Sequence, residues 1–188
     1  MADLSGTKIA VLVTDGVEEV ELTKPVDYLS SKGAEVTIVT PNREELKSGI
    51  KSKNMGEMGA TLKADKVLAD VSPTDFDALY IPGGYSPDHL RLYPQAIEFV
   101  KAFADKPIFA LCHGPQVLIS ADLVDGCTLT SWPSVRVDLE NAGATWVDQE
   151  VVVDGDLITS RKPDDIPAFN KKIEEFLAEV LQPAGMAA

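Results

Sequence analysis

A chain of 188 residues with 45% apolar side chains is long enough to bury one substantial core. Its 17 basic and 30 acidic residues leave a formal charge of −13, which repels a polyphosphate backbone and argues against direct nucleic-acid contact. The early apolar run at 9–13 stops at Thr14 and Asp15, too short for a signal core or a membrane span. The two cysteines, in unlike surroundings, suggest neither a disulfide framework nor zinc ligation. The expectation is a cytoplasmic protein with no membrane contact, no metal and no cofactor.

Residues 8–14 form the continuous apolar run of a parallel strand buried on both faces, and 34–40 repeat it. Between them Thr23 is placed to cap a helix with Pro25 in its first turn, and Gly33 to end it, which makes a βαβ unit. The stretch 44–66 is weakly patterned, carries Gly49, Gly56 and Gly59, and is expected to hold short edge strands. A strand at 78–81 runs into Pro82-Gly83-Gly84, and a helical pattern over 94–104 precedes a strand at 107–111. Asp154-Gly155 suits a tight turn between the apolar runs 151–153 and 157–158, an expected antiparallel addition to the sheet. The last helix has Asp164 or Asp165 near its cap, with Ile166, Phe169, Ile173, Phe176, Leu177 and Val180 on one face for packing on the sheet; 183–188 read as a frayed tail. No repeat or linker divides the chain, so one domain is expected over 1–188 with its core at about 8–181. Strands alternating with helices predict an α/β fold, a mostly parallel sheet with helices on both faces.

In open α/β sheets, sites form beyond the carboxyl ends of strands. The most telling such end is Cys112-His113, where an apolar strand meets a helix start. Ala110 and Gly114 occupy the small-residue places two before and two after Cys112, as in a nucleophile elbow. A thiol above a helix N-terminus is expected to be held ionised and reactive at neutral pH. Cys127 has neither an elbow nor a neighbouring histidine and reads as packing. After the first strand come Glu18, Glu19 and Glu21. Glu19 suits a helix start, whereas Glu18 and Glu21 share a face, and Glu21 is the preferred partner for the thiol, kept protonated and acting as an acid. Gly83 and Gly84 leave backbone N–H groups open to a substrate oxyanion alongside that of His113, with Gly84 the stronger candidate. Only His89 and His113 exist, so Cys/His catalysis must use one of them or proceed without histidine. His113 needs the elbow and an orienting third group to reach the sulfur, and His89 reads as a surface residue. Of Trp132, Trp146 and Tyr85, Trp132 is the favoured pocket wall.

Taken together, these segments resemble the ThiJ/PfpI superfamily, in its PfpI-like intracellular protease, general stress protein and deglycase branch. The resemblance rests on 15–22, Ile81-Pro82-Gly83-Gly84, 111–116, Asn141-Ala142-Gly143, 150–155 and Thr159-Ser160-Arg161 with Pro163, in that order. It implies a flavodoxin-like three-layer sandwich, a homodimer or higher homo-oligomer, and Cys112 as the nucleophile or redox-sensitive thiol, with Glu21 beside it and Glu18 in the same pocket. It also implies that His113 is completed as a triad by an acid from a neighbouring subunit; Asp88 stands at that place, one methylene shorter than the family's glutamate. Two readings follow. One is a stress-response cysteine hydrolase, peptidase or deglycase/glyoxalase, acting on small carbonyl compounds or damaged proteins and peptides. The other is a redox sensor or chaperone whose oxidised Cys112 is stabilised by Glu21.

Overall fold

The computed structural model describes residues 3–181, so the expected tail at 183–188 lies outside the described residues. Its elements, in chain order, are β1 Lys8–Leu12, α1 Glu19–Ser31, β2 Glu35–Thr40, α2 Arg43–Ser48, β3 Ile50–Asn54, β4 Glu57–Leu62, β5 Lys66–Val67, β6 Ala78–Ile81, α3 Ser86–Leu90, α4 Pro94–Lys101, β7 Ile108–Leu111, α5 Pro115–Ser120, β8 Thr128–Leu129, α6 Arg136–Asn141, β9 Thr145–Trp146, β10 Val151–Asp154, β11 Leu157–Ser160 and α7 Ile166–Leu181.

Alternation along the strands builds the layers. In and just after β1, Ile9, Val11 and Val13 point to the face covered by α1 and α7, while Ala10 and Leu12 point to the face covered by α4 and α5. Tyr80 and Phe109 join the first side, Leu79, Ile81 and Ala110 the second. The result is the three-layer α/β sandwich that the sequence predicts. Strand order in the main sheet is β10-β11-β7-β6-β1-β2-β5, and every pairing is parallel except β10 with β11. The chain winds outward from β1 through β2, then returns to β6 on its other side, so the order reverses between β1 and β6. That is where such sheets open a crevice.

The expected antiparallel hairpin is present: β10 runs against β11, and β11 joins the sheet in parallel with β7. Two expectations need correction. The weak stretch after β2 contains the helix α2 as well as strands, and β3 and β4 pair with each other as a separate two-stranded sheet. Also, α1 starts at Glu19, not after a Thr23 cap; the Thr23 hydroxyl bonds back to the Glu19 carbonyl at 2.9 Å.

Pro25 therefore lies inside α1, where it has no N–H to give the carbonyl four residues earlier, that of Glu21. The fully buried Tyr80 hydroxyl donates to this carbonyl at 2.5 Å. The proline thus frees an acceptor, and a strand residue occupies it, locking α1 onto β6. Tyr80→Phe should cost about 1–3 kcal/mol in urea unfolding at unchanged m-value, because a buried carbonyl loses its donor. In a Pro25→Ala background the same change should cost less, since the restored N–H can serve that carbonyl. Equal costs in both backgrounds would remove the proposed linkage.

Candidate active site

The carboxyl ends of β1, β6 and β7 converge on one crevice. The apolar Ile108–Leu111 strand ends at Cys112, whose φ of 61° turns the chain sharply before α5. The turn is held from both sides: the Cys112 N–H donates to the Ser160 carbonyl at 3.0 Å, and the Cys112 carbonyl accepts from the Trp132 N–H at 2.9 Å. Any side chain at residue 114 would come within 2.5 Å of the Ile81 carbonyl oxygen, so glycine is demanded there by space. This is the strand-to-helix elbow, and it presents Cys112 Sγ 3.3 Å from His113 Nδ1.

Four carboxylates follow β1 within seven residues, and the structure assigns them to two different tasks. Asp15 accepts the Lys51 N–H at 2.7 Å, Glu18 accepts the Met55 N–H at 3.1 and 3.2 Å, and Glu19 accepts the Ala60 N–H at 2.6 Å and the Ser52 hydroxyl at 3.0 Å. These three bind the β3–β4 hairpin to the body. Glu21 alone turns into the core, fully buried, where its Oε2 accepts the Gly83 N–H at 2.8 Å. A methyl group added at Gly83 would lie 2.5 Å from that oxygen and 2.6 Å from the Cys112 Cβ. Glycine is what lets carboxyl and thiol approach each other.

Burial pushes the Glu21 carboxyl up to about 8, against the hydrogen bonds from the thiol and the Gly83 N–H that pull it down. It is therefore neutral at pH 7. Burial also pushes the Cys112 thiol up, and the charge and hydrogen bonding of Glu21 push it further; the N–H groups of Gly84 and His113 offset only part of this. Burial and Glu21 thus oppose the ionised thiol expected at a helix start. A six-residue helix headed by a proline offers a weak dipole, and desolvation outweighs it. Ionisation of either member disfavours it in the other, so the pair holds its protons jointly. His113 is lowered by burial and raised again by the charge of Asp88.

The crevice is a pocket of about 610 Å³. Of the residues singled out from the sequence, Cys112, His113, Glu21, Glu18, Asp88, Gly84, Trp132 and Tyr85 line it. Gly83 sits behind them with its N–H engaged by Glu21, which leaves the Gly84 and His113 N–H groups directed at the sulfur. Trp132 stacks on the His113 ring, with centroids 6.2 Å apart. Asp88 is exposed on α3 and, among the described residues, makes no hydrogen bond to His113. His89 is exposed and bonds the Asp15 carbonyl through Nδ1 at 2.9 Å. Trp146 lies outside the pocket, donating to the Ser131 hydroxyl at 3.0 Å, and Cys127 packs against the core. The sequence reading did not find Lys53, Met55 and Gly56, which the hairpin brings to the pocket, nor Gln116 and Pro163.

Residues 7–175 match the model of the DJ-1/PfpI family. The chain belongs to this family. Among its DJ-1/PfpI relatives, Bacillus subtilis YraA, whose name proposes a cysteine protease, is 48% identical over 167 residues, covering 88% of this chain and 95% of that one. Escherichia coli "Protein/nucleic acid deglycase 2" is 47% identical over 168 residues, with coverages of 88% and 94%. Bacillus subtilis "General stress protein 18" is 46% identical over 170 residues, with coverages of 89% and 95%. The solved structure of Drosophila melanogaster DJ-1beta superposes with a TM-score of 0.79 at 30% identity, covering 95% of this chain and 91% of that one. DJ-1/PfpI membership and the fold are thereby established together.

A raised carboxyl has a stability signature. Glu21 binds its proton up to about pH 8 when folded but only to its ordinary 4.5 when unfolded. Its contribution is fully present below pH 4.5 and lost as pH rises towards 8. Glu21→Gln, which keeps an acceptor for the Gly83 N–H, should therefore match wild type in thermal stability near pH 4.5. At pH 7.5 it should be more stable, by on the order of 4 kcal/mol, about three pH units of linkage. A difference independent of pH would mean that the carboxyl titrates normally.

Proposed function

We propose that this protein is a stress-response cysteine hydrolase of the PfpI type, working in the cytoplasm on methylglyoxal-damaged proteins or peptides with Cys112 as nucleophile. The observation that carries this reading is the thiol at a positive-φ elbow, with the Glu21 carboxyl, the His113 ring and two backbone N–H groups gathered around it at one open pocket. The relatives' names, a proposed cysteine protease, a deglycase and a stress protein, support it.

A thiol pushed up by burial needs a base, and His113, kept neutral by burial, stands 3.3 Å from the sulfur. In the addition step the S–C bond forms to the substrate carbonyl and its π pair moves to oxygen. The thiol proton passes to His113, and neutral Glu21 delivers a proton towards the oxygen. Trp132 packs against the imidazole and holds its plane. A homo-oligomer belongs to the same proposal, with Asp88 at the pocket lip placed to orient an imidazole. The acidic surface favours protein adducts over nucleic acid.

Cys112→Ala should lower turnover of methylglyoxal-treated protein and peptide by roughly a hundredfold or more. Undiminished turnover on both substrates would exclude the nucleophile.

One feature favours a second reading, a redox-responsive protein. Among the described residues Glu21 Oε1 has no hydrogen-bond partner of its own, and a neutral carboxyl beside sulfur can donate to a sulfinate. The elevated thiol weighs against it, because peroxide attacks the thiolate. Intact-mass and peptide mapping after mild peroxide should show two oxygen atoms on Cys112 ahead of Cys127 if this reading holds; equal oxidation of both dismisses it.

A further inference from the structure

The β3–β4 hairpin turns through Met55 and Gly56, with Asn54 paired to Glu57. Both central residues have positive φ, 52° and 90°, the two-residue turn whose first position ordinarily takes asparagine, aspartate or glycine. Methionine there is a strained choice that asparagine would relieve. It also gains nothing from the core: its side chain is 89% exposed, yet it lines the pocket that holds Cys112. Strain kept without a packing return points to use.

The tip is also held in place. Both Glu18 carboxylate oxygens accept the Met55 N–H, and Lys53, two residues back in β3, donates its N–H to the Val17 carbonyl at 2.7 Å. Around the same mouth stand Tyr85, 57% exposed, and Trp132, 39% exposed. These three large side chains line a pocket of about 610 Å³, roomier than a small aldehyde requires. Such a rim matches apolar groups carried on either side of a reacting one.

We propose that Met55, positioned by Glu18, forms with Tyr85 and Trp132 an apolar clamp for the residues flanking the damaged one. The preferred substrate is then a peptide segment with large apolar neighbours, rather than a free carbonyl compound or an isolated adduct. This rests on Cys112 being the reacting thiol of the pocket. Glu18 acts through the hairpin and is a positioning residue.

The probes are methylglyoxal-treated acetyl-Leu-Arg-Leu-amide and methylglyoxal-treated N-acetylarginine, compared through kcat/KM for wild type and Met55→Asn. Wild type should prefer the tripeptide adduct by about tenfold, a difference typical of one well-buried apolar contact, and Met55→Asn should bring the preference to within about twofold. Because asparagine suits the turn, the variant should melt no lower than wild type, and about 2 °C higher if the strain is relieved. No preference in wild type, or an undiminished one in Met55→Asn, overturns the clamp. If neither adduct is turned over, the hydrolase reading fails separately, and the clamp is read from protection of Cys112 against iodoacetamide: the tripeptide adduct should slow alkylation in wild type and not in the variant, and equal protection overturns it. A change in the oligomer's mass by light scattering on introducing Met55→Asn also overturns it, since the tip would then be covered by another copy.

Discussion

The site depends on a side chain that is missing. At Gly83 the backbone passes between a buried carboxyl and a buried thiol so closely that one methyl group would collide with both. The same residue's N–H supplies the hydrogen bond that makes burial of Glu21 tolerable. Space and a donor are thus provided by one residue, and the chemistry of the pocket follows from that approach. Kept apart, the two groups would titrate independently, each still pushed up by its own burial.

The surrounding fold secures this approach from three directions. Tyr80 reaches across from β6 to the carbonyl that Pro25 leaves open, which fixes the turn of α1 bearing Glu21. Hydrogen bonds from Cys112 to Ser160 and from Trp132 to Cys112 hold the elbow between neighbouring segments. The hairpin, bound through Asp15, Glu18 and Glu19, closes a side that the parallel sheet leaves open. Helix end, strand end and hairpin each contribute one wall, so the pocket is assembled from parts far apart in the chain.

Much of this was legible in the residues. Ala78–Ile81 and the strand before Cys112 are continuous apolar runs bounded by Pro, Gly and Cys, and such runs allow few other readings. The elbow was legible because Ala110 and Gly114 frame Cys112. The start of α1 was not, because Thr23 and Pro25 imitate a capping pattern while the real N-cap, Glu18, uses its carboxylate on the hairpin instead of on its own helix. The hairpin itself was obscured by mixed alternation and by methionine standing where the turn usually shows asparagine. The direction of the thiol's shift could not be read at all: it is decided by burial and by Glu21, a residue far away in the chain, whereas the local pattern shows only the helix start.

The left-handed backbone at residue 112 sets two demands against each other. Cysteine has a Cβ, and in that conformation it is less comfortable than glycine would be. Glycine would ease the turn but would empty the space that this side chain fills in the buried cluster with Phe109 and Leu111. Relief of the backbone therefore comes only with a hole at the floor of the pocket, and the strained turn and the packed sulfur persist together.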